Sequence, residues 1–304
     1  MFKKCFFNSI ITYLVLLAVS LSSFALPLLG GCSVIQEVTE ISASVSVSSI
    51  AGDELLVETV DVGQGDCIII KAPDGSVIMV DAGEKSAIYN IVETFKKYNI
   101  GKIDLLIATH PHSDHIGGMQ YFVESYPIDT IVMPKSDHST NTYANLLKSI
   151  KDNDLKITEA KPGLNYQFGD VSIDILGPVS NEYDDLNNMS VVFKLTYGDT
   201  SFLFMGDAEE ESEEDILNSG ADLSADVLKA GHHGSSTSTS QEFLDAVSPS
   251  IVLVSCGVDN EYGHPHEEFL NRVSQKGCTL LRTDLNGNIT LYSNGVDITT
   301  ETEK

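Results

Sequence analysis

Residues 110–115 read His110-Pro111-His112-Ser113-Asp114-His115. Four potential metal ligands fall within six positions, directly after the apolar run Ile103 to Ala108. In extended backbone, side chains i and i+2 point the same way, so His110 and His112 can bind one ion as a pair. Asp114 and His115 follow where the chain turns into a helix, and they point elsewhere, toward a second ion. Imidazole with carboxylate suits zinc; more oxygen ligands suit manganese or iron. A surface loop that happens to hold several histidines is the plain alternative. Four ligands at this spacing weigh against it.

Other residues could serve the same chemistry. Phe202-Leu203-Phe204-Met205-Gly206-Asp207 is an apolar strand ending in Gly-Asp, and an aspartate there can reach between two ions. Without the histidine cluster, Asp207 would read as a helix cap. Ala230-Gly231-His232-His233-Gly234-Ser235 presents a glycine-flanked histidine pair after the buried run Ala225–Leu228. On extended backbone His232 and His233 point oppositely, so one of them is not a ligand. Ser235 and its neighbours offer small side chains and backbone N–H groups to an anion. Gln64 and Asp66 either line the pocket or serve the turns around Gly63 and Gly65. His138 and His266 read as loop and turn residues.

Further segments recur with these in order: Asp61-Val62-Gly63-Gln64-Gly65-Asp66, Asp81-Ala82-Gly83, Asn187-Asn188-Met189-Ser190, Gly206-Asp207-Ala208-Glu209, Lys229 to Ser235, and Tyr262-Gly263-His264-Pro265. With His-x-His-x-Asp-His, this set resembles the metallo-β-lactamase-fold superfamily of metallohydrolases. Within it, the set is similar to the hydrolase domain attached to the DNA-uptake channel ComEC and to its stand-alone relatives. The resemblance covers about Leu55 to Tyr292. It implies an αββα sandwich, two mixed sheets face to face with helices outside, and a site for two divalent ions, zinc or manganese.

The resemblance also implies roles. Asp207 is the bridging carboxylate, and His232 completes the second metal position with Asp114, His115 and Asp207. Asp81 orients a ligand histidine. His264 gives a proton to the leaving group, touches phosphate or serves as an alternative ligand. Asp114, Asp207 and His264 are thus the groups expected to take part in the chemistry. Asn188, His233, Ser235, Gln64 and Asp66 are expected behind the ligands or against substrate. One departure stands out: many superfamily hydrolases have a third histidine where this chain reads Asn187-Asn188-Met189-Ser190. The first position then holds its ion through His110, His112, Asp207 and a weak amide or water.

The elements that must position these groups follow from periodicity. Leu55–Val62, Asp66–Ala72 and Ser76–Val80 read as strands separated by glycine turns. A helix is expected over Ser86–Tyr98, then the buried strand that carries the histidine cluster. Further strands are expected near 130–133, 155–159, 171–176, 191–197, 202–205, 251–255, 279–282 and 288–292. Helices are expected near 142–152, 209–218, 241–246 and 266–275. Alone, this pattern gives an α/β class with mixed sheets. The acidic run from Glu209 to Asp215 reads as an exposed first helical turn.

The chain has 304 residues, 42% of them hydrophobic, enough for one large packed domain. Residues 1–32 differ in kind. Lys3 and Lys4 precede an apolar stretch and then Leu29-Gly30-Gly31-Cys32. This is a signal-peptide layout whose end resembles a bacterial lipobox, with Cys32 lipid-modified. An uncleaved membrane anchor is the alternative. Either way the expected place is outside the cytoplasm, tethered to a membrane, with residues 33–52 as a flexible tether and 53–304 as the hydrolase domain. Cys67, Cys256 and Cys278 imply no disulfide framework, though Cys256 and Cys278 could pair.

The formal net charge of −26 excludes a general basic surface for nucleic acid. It does not exclude phosphate chemistry, because metal ions supply local positive charge. Two ions that share a water lower its pKa to about 7 and neutralise the developing charge. The expected activity is therefore extracytoplasmic hydrolysis of phosphodiesters. Hydrolysis of an ester or lactone, and a non-catalytic surface-binding lipoprotein, are the competing readings.

Overall fold

The layers follow from how single strands divide their side chains. In Thr200–Phe204, Phe202 and Phe204 enter one apolar cluster while Leu203 enters another on the opposite side. A strand with both faces buried must be covered twice, which demands layers above and below it. The structure, a computed structural model, describes residues 54–304. The expected signal peptide, Cys32 and the tether all lie outside the described residues.

The first sheet contains β1 (Leu55–Thr59), β2 (Ile68–Lys71), β3 (Val77–Val80), β4 (Ile103–Ile107), β5 (Ile128–Met133) and β6 (Ile157–Glu159). The second contains β7 (Asn165–Phe168), β8 (Val171–Ile175), β9 (Phe193–Tyr197), β10 (Thr200–Phe204), β11 (Val227–Lys229), β12 (Ile251–Val254) and β13 (Thr279–Arg282). The chain then returns to the first sheet with β14 (Ile289–Ser293) and β15 (Ile298–Thr302). The orders are β15-β14-β1-β2-β3-β4-β5-β6 and β13-β12-β11-β10-β9-β8-β7. Both sheets are mixed: β3, β4, β5 and β6 run parallel, as do β10, β11, β12 and β13.

Three apolar clusters glue four layers. Between the sheets, Ile78, Leu105 and Ile107 join Phe193, Phe204 and Leu253. Outside the first sheet, Leu106 and Ile131 meet Phe95 of α1 (Ile88–Lys97), Phe122 of α3 (Met119–Ser125) and Leu146 of α4 (Asn141–Asp152). The short α2 (Ser113–Ile116) lies within the histidine cluster. Outside the second sheet, Leu228 and Val252 meet Ile216 of α5 (Glu210–Asn218), Phe243 of α6 (Gln241–Val247) and Phe269 of α7 (Glu267–Lys276). Each such side chain contributes about 1.5–3 kcal/mol by leaving water. This is the expected αββα sandwich. Among the described residues no helix is long and apolar enough to cross a membrane.

The expected elements are present with ends shifted by a few residues. Three strands were not expected: β7, β15 and β11, the last read only as a buried run before His232. β7 and β15 are sheet-edge strands with largely polar, exposed side chains, so their sequences lack a buried run. The cysteines within the described residues are free, Cys256 and Cys278 included.

Candidate metal centre

The ends of parallel strands from both sheets supply the site. Asp81 follows β3, residues 110–115 follow β4, Asp207 follows β10, and His232 and His233 follow β11. These ends meet closely. A Cβ on Gly65, whose φ is +123°, would lie 2.1 Å from the backbone oxygen of Asp114. A Cβ on Gly206, at φ +53°, would lie 2.9 Å from Cβ of Thr109. Glycine at 206 lets the second sheet bring Asp207 up to the end of β4, and glycine at 65 lets the β1–β2 loop close on Asp114 within the first sheet.

Asp207 lies at the centre. One carboxylate oxygen, Oδ1, is 3.2 Å from Nε2 of His115. The other, Oδ2, is 3.5 Å from Nε2 of His233 and 3.7 Å from Nε2 of His110. Nε2 of His233 is also 3.3 Å from Oδ2 of Asp114. Ligand atoms of Asp114, His115, Asp207 and His233 all lie within 4.8 Å of one another. Beside them, Nε2 of His110 is 3.0 Å from Nδ1 of His112, as the pairing of these two residues predicts.

The groups behind the ligands set their orientation. Nδ1 of His115 donates to Oδ2 of Asp81 at 2.7 Å, leaving Nε2 to face Asp207. Asp81 is itself held by the Thr109 backbone N–H at 2.8 Å and the Thr109 hydroxyl at 2.6 Å. Nδ1 of His233 donates to the Ser255 carbonyl at 3.0 Å, which turns its Nε2 toward Asp114. Ser190 Oγ accepts from the Asp207 N–H at 3.0 Å and lies 3.4 Å from Nδ1 of His110.

The donor set fits divalent cations. Nε2 of His115, Nε2 of His233 and Oδ1 of Asp207 are buried and have no aligned hydrogen-bond partner among the described residues. Buried polar atoms are seldom left so. Electrostatics points the same way. Burial disfavours a charged His115, yet Asp207, Asp81 and Asp114 outweigh it and hold its pKa well above the usual histidine value. For His233 burial is likewise outweighed, by Asp207 and then Asp114, and its pKa rises to about 9. The carboxylates thus attract positive charge that a divalent ion would supply. Burial works against the ionised carboxylate of Asp207, but His115, His233 and His110 keep its pKa well below the ordinary value.

His232 does not take the ligand place expected for it. The expectation of opposite directions assumed extended backbone, but His232 and His233 have φ/ψ of 42°/49° and 54°/25°. In this left-handed turn His233 points into the cluster, while Nε2 of His232 stays 3.9 Å from Asp207. Nδ1 of His232 pairs with Oε1 of Glu209 at 2.7 Å. Two adjacent non-glycine residues in this region cost about 1–3 kcal/mol each, a local cost that fits a functional turn.

Several other expectations are redistributed. Asn188 faces away from the histidines: its Oδ1 accepts from the N–H groups of Glu209 (3.0 Å) and Ser212 (3.3 Å), capping α5. Asn187 lines the cavity instead. Ser235 Oγ is engaged by Thr237 Oγ1 at 2.8 Å and does not line the cavity. Gln64 lines it and accepts from the Gly257 N–H at 3.2 Å. Glu209 and Glu213 are not the solvated groups expected of the acidic run. Glu209 braces His232, and buried Glu213 accepts from the Thr239 and Ser240 N–H groups. His138, read as a loop residue, lines the cavity with its ring centre 5.8 Å from that of His112. His266 serves the turn, accepting from the Ser236 N–H at 2.9 Å.

Lys229 was not singled out. Its ammonium is fully buried and sits 2.8 Å from Oδ2 of Asp66. Asp66 Oδ1 lies 3.5 Å from Nδ1 of His233, so the pair backs a ligand histidine. The only signal was a lysine at the end of an apolar run, Val227-Leu228-Lys229.

The ligand cluster opens into a cavity of about 370 Å³, lined by His112, Asp114 and Asp207 together with Tyr262, His264 and Gln64. Burial, and then His232 and His233, lower the pKa of His264 to about 4. Its imidazole is therefore neutral at pH 7.

Comparison with known proteins agrees with this geometry. Residues 60–258 match the Metallo-beta-lactamase superfamily. The chain is 31% identical over 250 residues to ComE operon protein 3 of Bacillus subtilis, covering 77% of this chain and 32% of that protein. It is 30% identical over 236 residues to Competence protein ComA of Neisseria gonorrhoeae, again covering 77% and 32%. The chain thus spans about a third of the length of these relatives. Among solved structures, the metallo-beta-lactamase fold protein YhfI of Bacillus subtilis superposes with a TM-score of 0.51 at 13% identity, covering 82% of this chain and all (100%) of that one. CmlA, a diiron beta-hydroxylase from Streptomyces venezuelae, gives 0.54 at 17% identity, covering 79% and 54%. Those two likenesses bear on fold alone. The histidine and aspartate cluster, the two-sheet frame and the matched span agree: the chain belongs to the metallo-beta-lactamase superfamily, with its sequence likeness in the ComEC-like branch.

Proposed function

We propose that the protein is a metal-dependent phosphodiesterase that works outside the cytoplasm. The observation that carries this reading is the place of Asp207. Its Oδ1 faces His115 while its Oδ2 faces His110 and His233, so one carboxylate addresses both histidine groups. Such a group suits a two-ion site. Two divalent ions held there would acidify a water and neutralise charge on a phosphate. His110, His112 and Asp207 would hold one; Asp114, His115, Asp207 and His233 would hold the other.

The chain's own residues favour water as the nucleophile. Ser113 borders the cavity, but its hydroxyl donates to Glu84 at 2.6 Å and pairs with no histidine among the described residues. The neutral ring of His264 can donate an N–H to a phosphate oxygen; with a pKa of about 4 it is a weak reservoir for a leaving-group proton. Its Nδ1 is buried and has no hydrogen-bond partner among the described residues, while the ring itself lines the cavity. The names of two relatives, Competence protein ComA and Recombination protein 2 of Haemophilus influenzae, point toward nucleic acid as the phosphodiester. The proposed location rests on the signal-like residues 1–32.

The test is turnover of bis-p-nitrophenyl phosphate, single-stranded DNA and nitrocefin with zinc or manganese. Hydrolysis of at least one phosphodiester, lost in His112→Ala, is expected. Metal-loaded protein that leaves both phosphodiesters intact would overturn the proposal, and rapid nitrocefin hydrolysis would replace it with a carbon-acyl substrate.

A further inference from the structure

We propose that Asn187 Oδ1 is the third protein ligand of the metal position defined by His110 and His112. The inference rests on the two-ion reading above. Asn187 is buried, and among the described residues its Oδ1 has no hydrogen-bond partner. A buried amide oxygen left so costs about 1–3 kcal/mol, and a cation in front of it would remove that cost. The residue lines the same cavity as His112 and Asp207.

The segment that carries Asn187 is tied to the His110 side of the site. Val191 donates its N–H to the Thr109 carbonyl at 2.9 Å. Ser190 lies 3.4 Å from Nδ1 of His110 and receives the Asp207 N–H. At the other end, the Asn187 N–H is held by Oδ1 of Asp185 at 2.9 Å. Its neighbour Asn188 is committed to capping α5, which leaves Asn187 as the amide available to this side of the cavity. The opposite side already has Asp114, His115 and His233 around Asp207.

The chemistry of the donor sets the behaviour of the position. An amide oxygen is neutral and hard, and it binds zinc less well than an imidazole nitrogen does. Oxygen-rich sets favour manganese or magnesium over zinc. The position with two imidazoles, one shared carboxylate and one amide is therefore the weaker of the two, and the more tolerant of manganese.

Calorimetric titration of the chelator-stripped full chain with zinc and with manganese tests this without reference to turnover. Wild type is expected to take up two equivalents of unequal affinity. Asn187→Ala should weaken the weaker one at least tenfold, leave the tighter one unchanged, and match His112→Ala rather than His233→Ala. Asn187→Asp restores an oxygen donor and should recover binding of both metals. Asn187→His should tighten zinc at the weaker position at least tenfold. Melting temperatures identify any variant that fails to fold, and the Asp and His variants then decide the question. Two binding steps in Asn187→Ala within twofold of wild type, or an Asn187→His protein with unchanged zinc affinity, would overturn the assignment. A wild-type protein that takes up one equivalent would instead remove the two-ion reading itself.

Discussion

Lys229 Nζ lies 2.8 Å from Asp66 Oδ2, and both groups are enclosed behind the metal centre. Burial pushes the Asp66 carboxyl toward the neutral form, but Lys229 and His233 reverse this and hold its pKa below the ordinary value. Removing one partner of such a pair leaves a buried charge uncompensated. Lys229→Met should cost about 3–5 kcal/mol in urea unfolding. Adding Asp66→Asn should return part of that loss, because the orphaned charge is then gone. A double variant less stable than the sum of the two singles would contradict this account.

Asp81 acts through His115. Its carboxylate fixes which ring nitrogen of His115 carries hydrogen. Asp81→Asn cannot accept that proton with equal strength, and such losses cost about 10–100-fold in metal affinity. Competition with a chromogenic chelator should show this drop at the tighter metal position. Equal chelator curves for variant and wild type would exclude the role.

Glu213 couples stability to pH. Burial raises its pKa from 4.5 to about 6, despite the hydrogen bonds from Ser240 and Thr239. The folded state thus binds this proton more tightly than the unfolded chain does. The stabilising contribution is full below pH 4.5, falls as pH rises toward 6, and is gone above it. The total is about 2 kcal/mol at about 1.4 kcal/mol per pH unit. Between pH 4.5 and 7, wild type should lose about 2 kcal/mol more than Glu213→Gln in urea unfolding. A difference of opposite sign would refute the assignment.

Strand interiors and the ligand-rich segments were legible in the chain because each has a local signal. Apolar runs such as Leu105 to Ala108 mark buried strands, and a charged or imidazole residue just beyond them marks a strand end at the site. The choice between His232 and His233 was not legible. It depends on two left-handed residues, a conformation that neither histidine announces. Lys229 and Glu213 were missed for a related reason. A lone charged residue reads as solvent-facing unless its buried partner is known, and Asp66 is more than a hundred positions away in sequence. Asn187 and Asn188 are adjacent and chemically identical, so only the tertiary contacts of α5 separate the cap from the cavity-facing amide.

The ligands come from both sheets: Asp114 and His115 from the end of β4, Asp207 and His233 from the ends of β10 and β11. An ion bound among them is therefore a clasp across the interlayer seam. Chelation should then loosen the protein first along this line, with faster amide exchange at Ala82 and Ala230 than in the helix-covered outer layers.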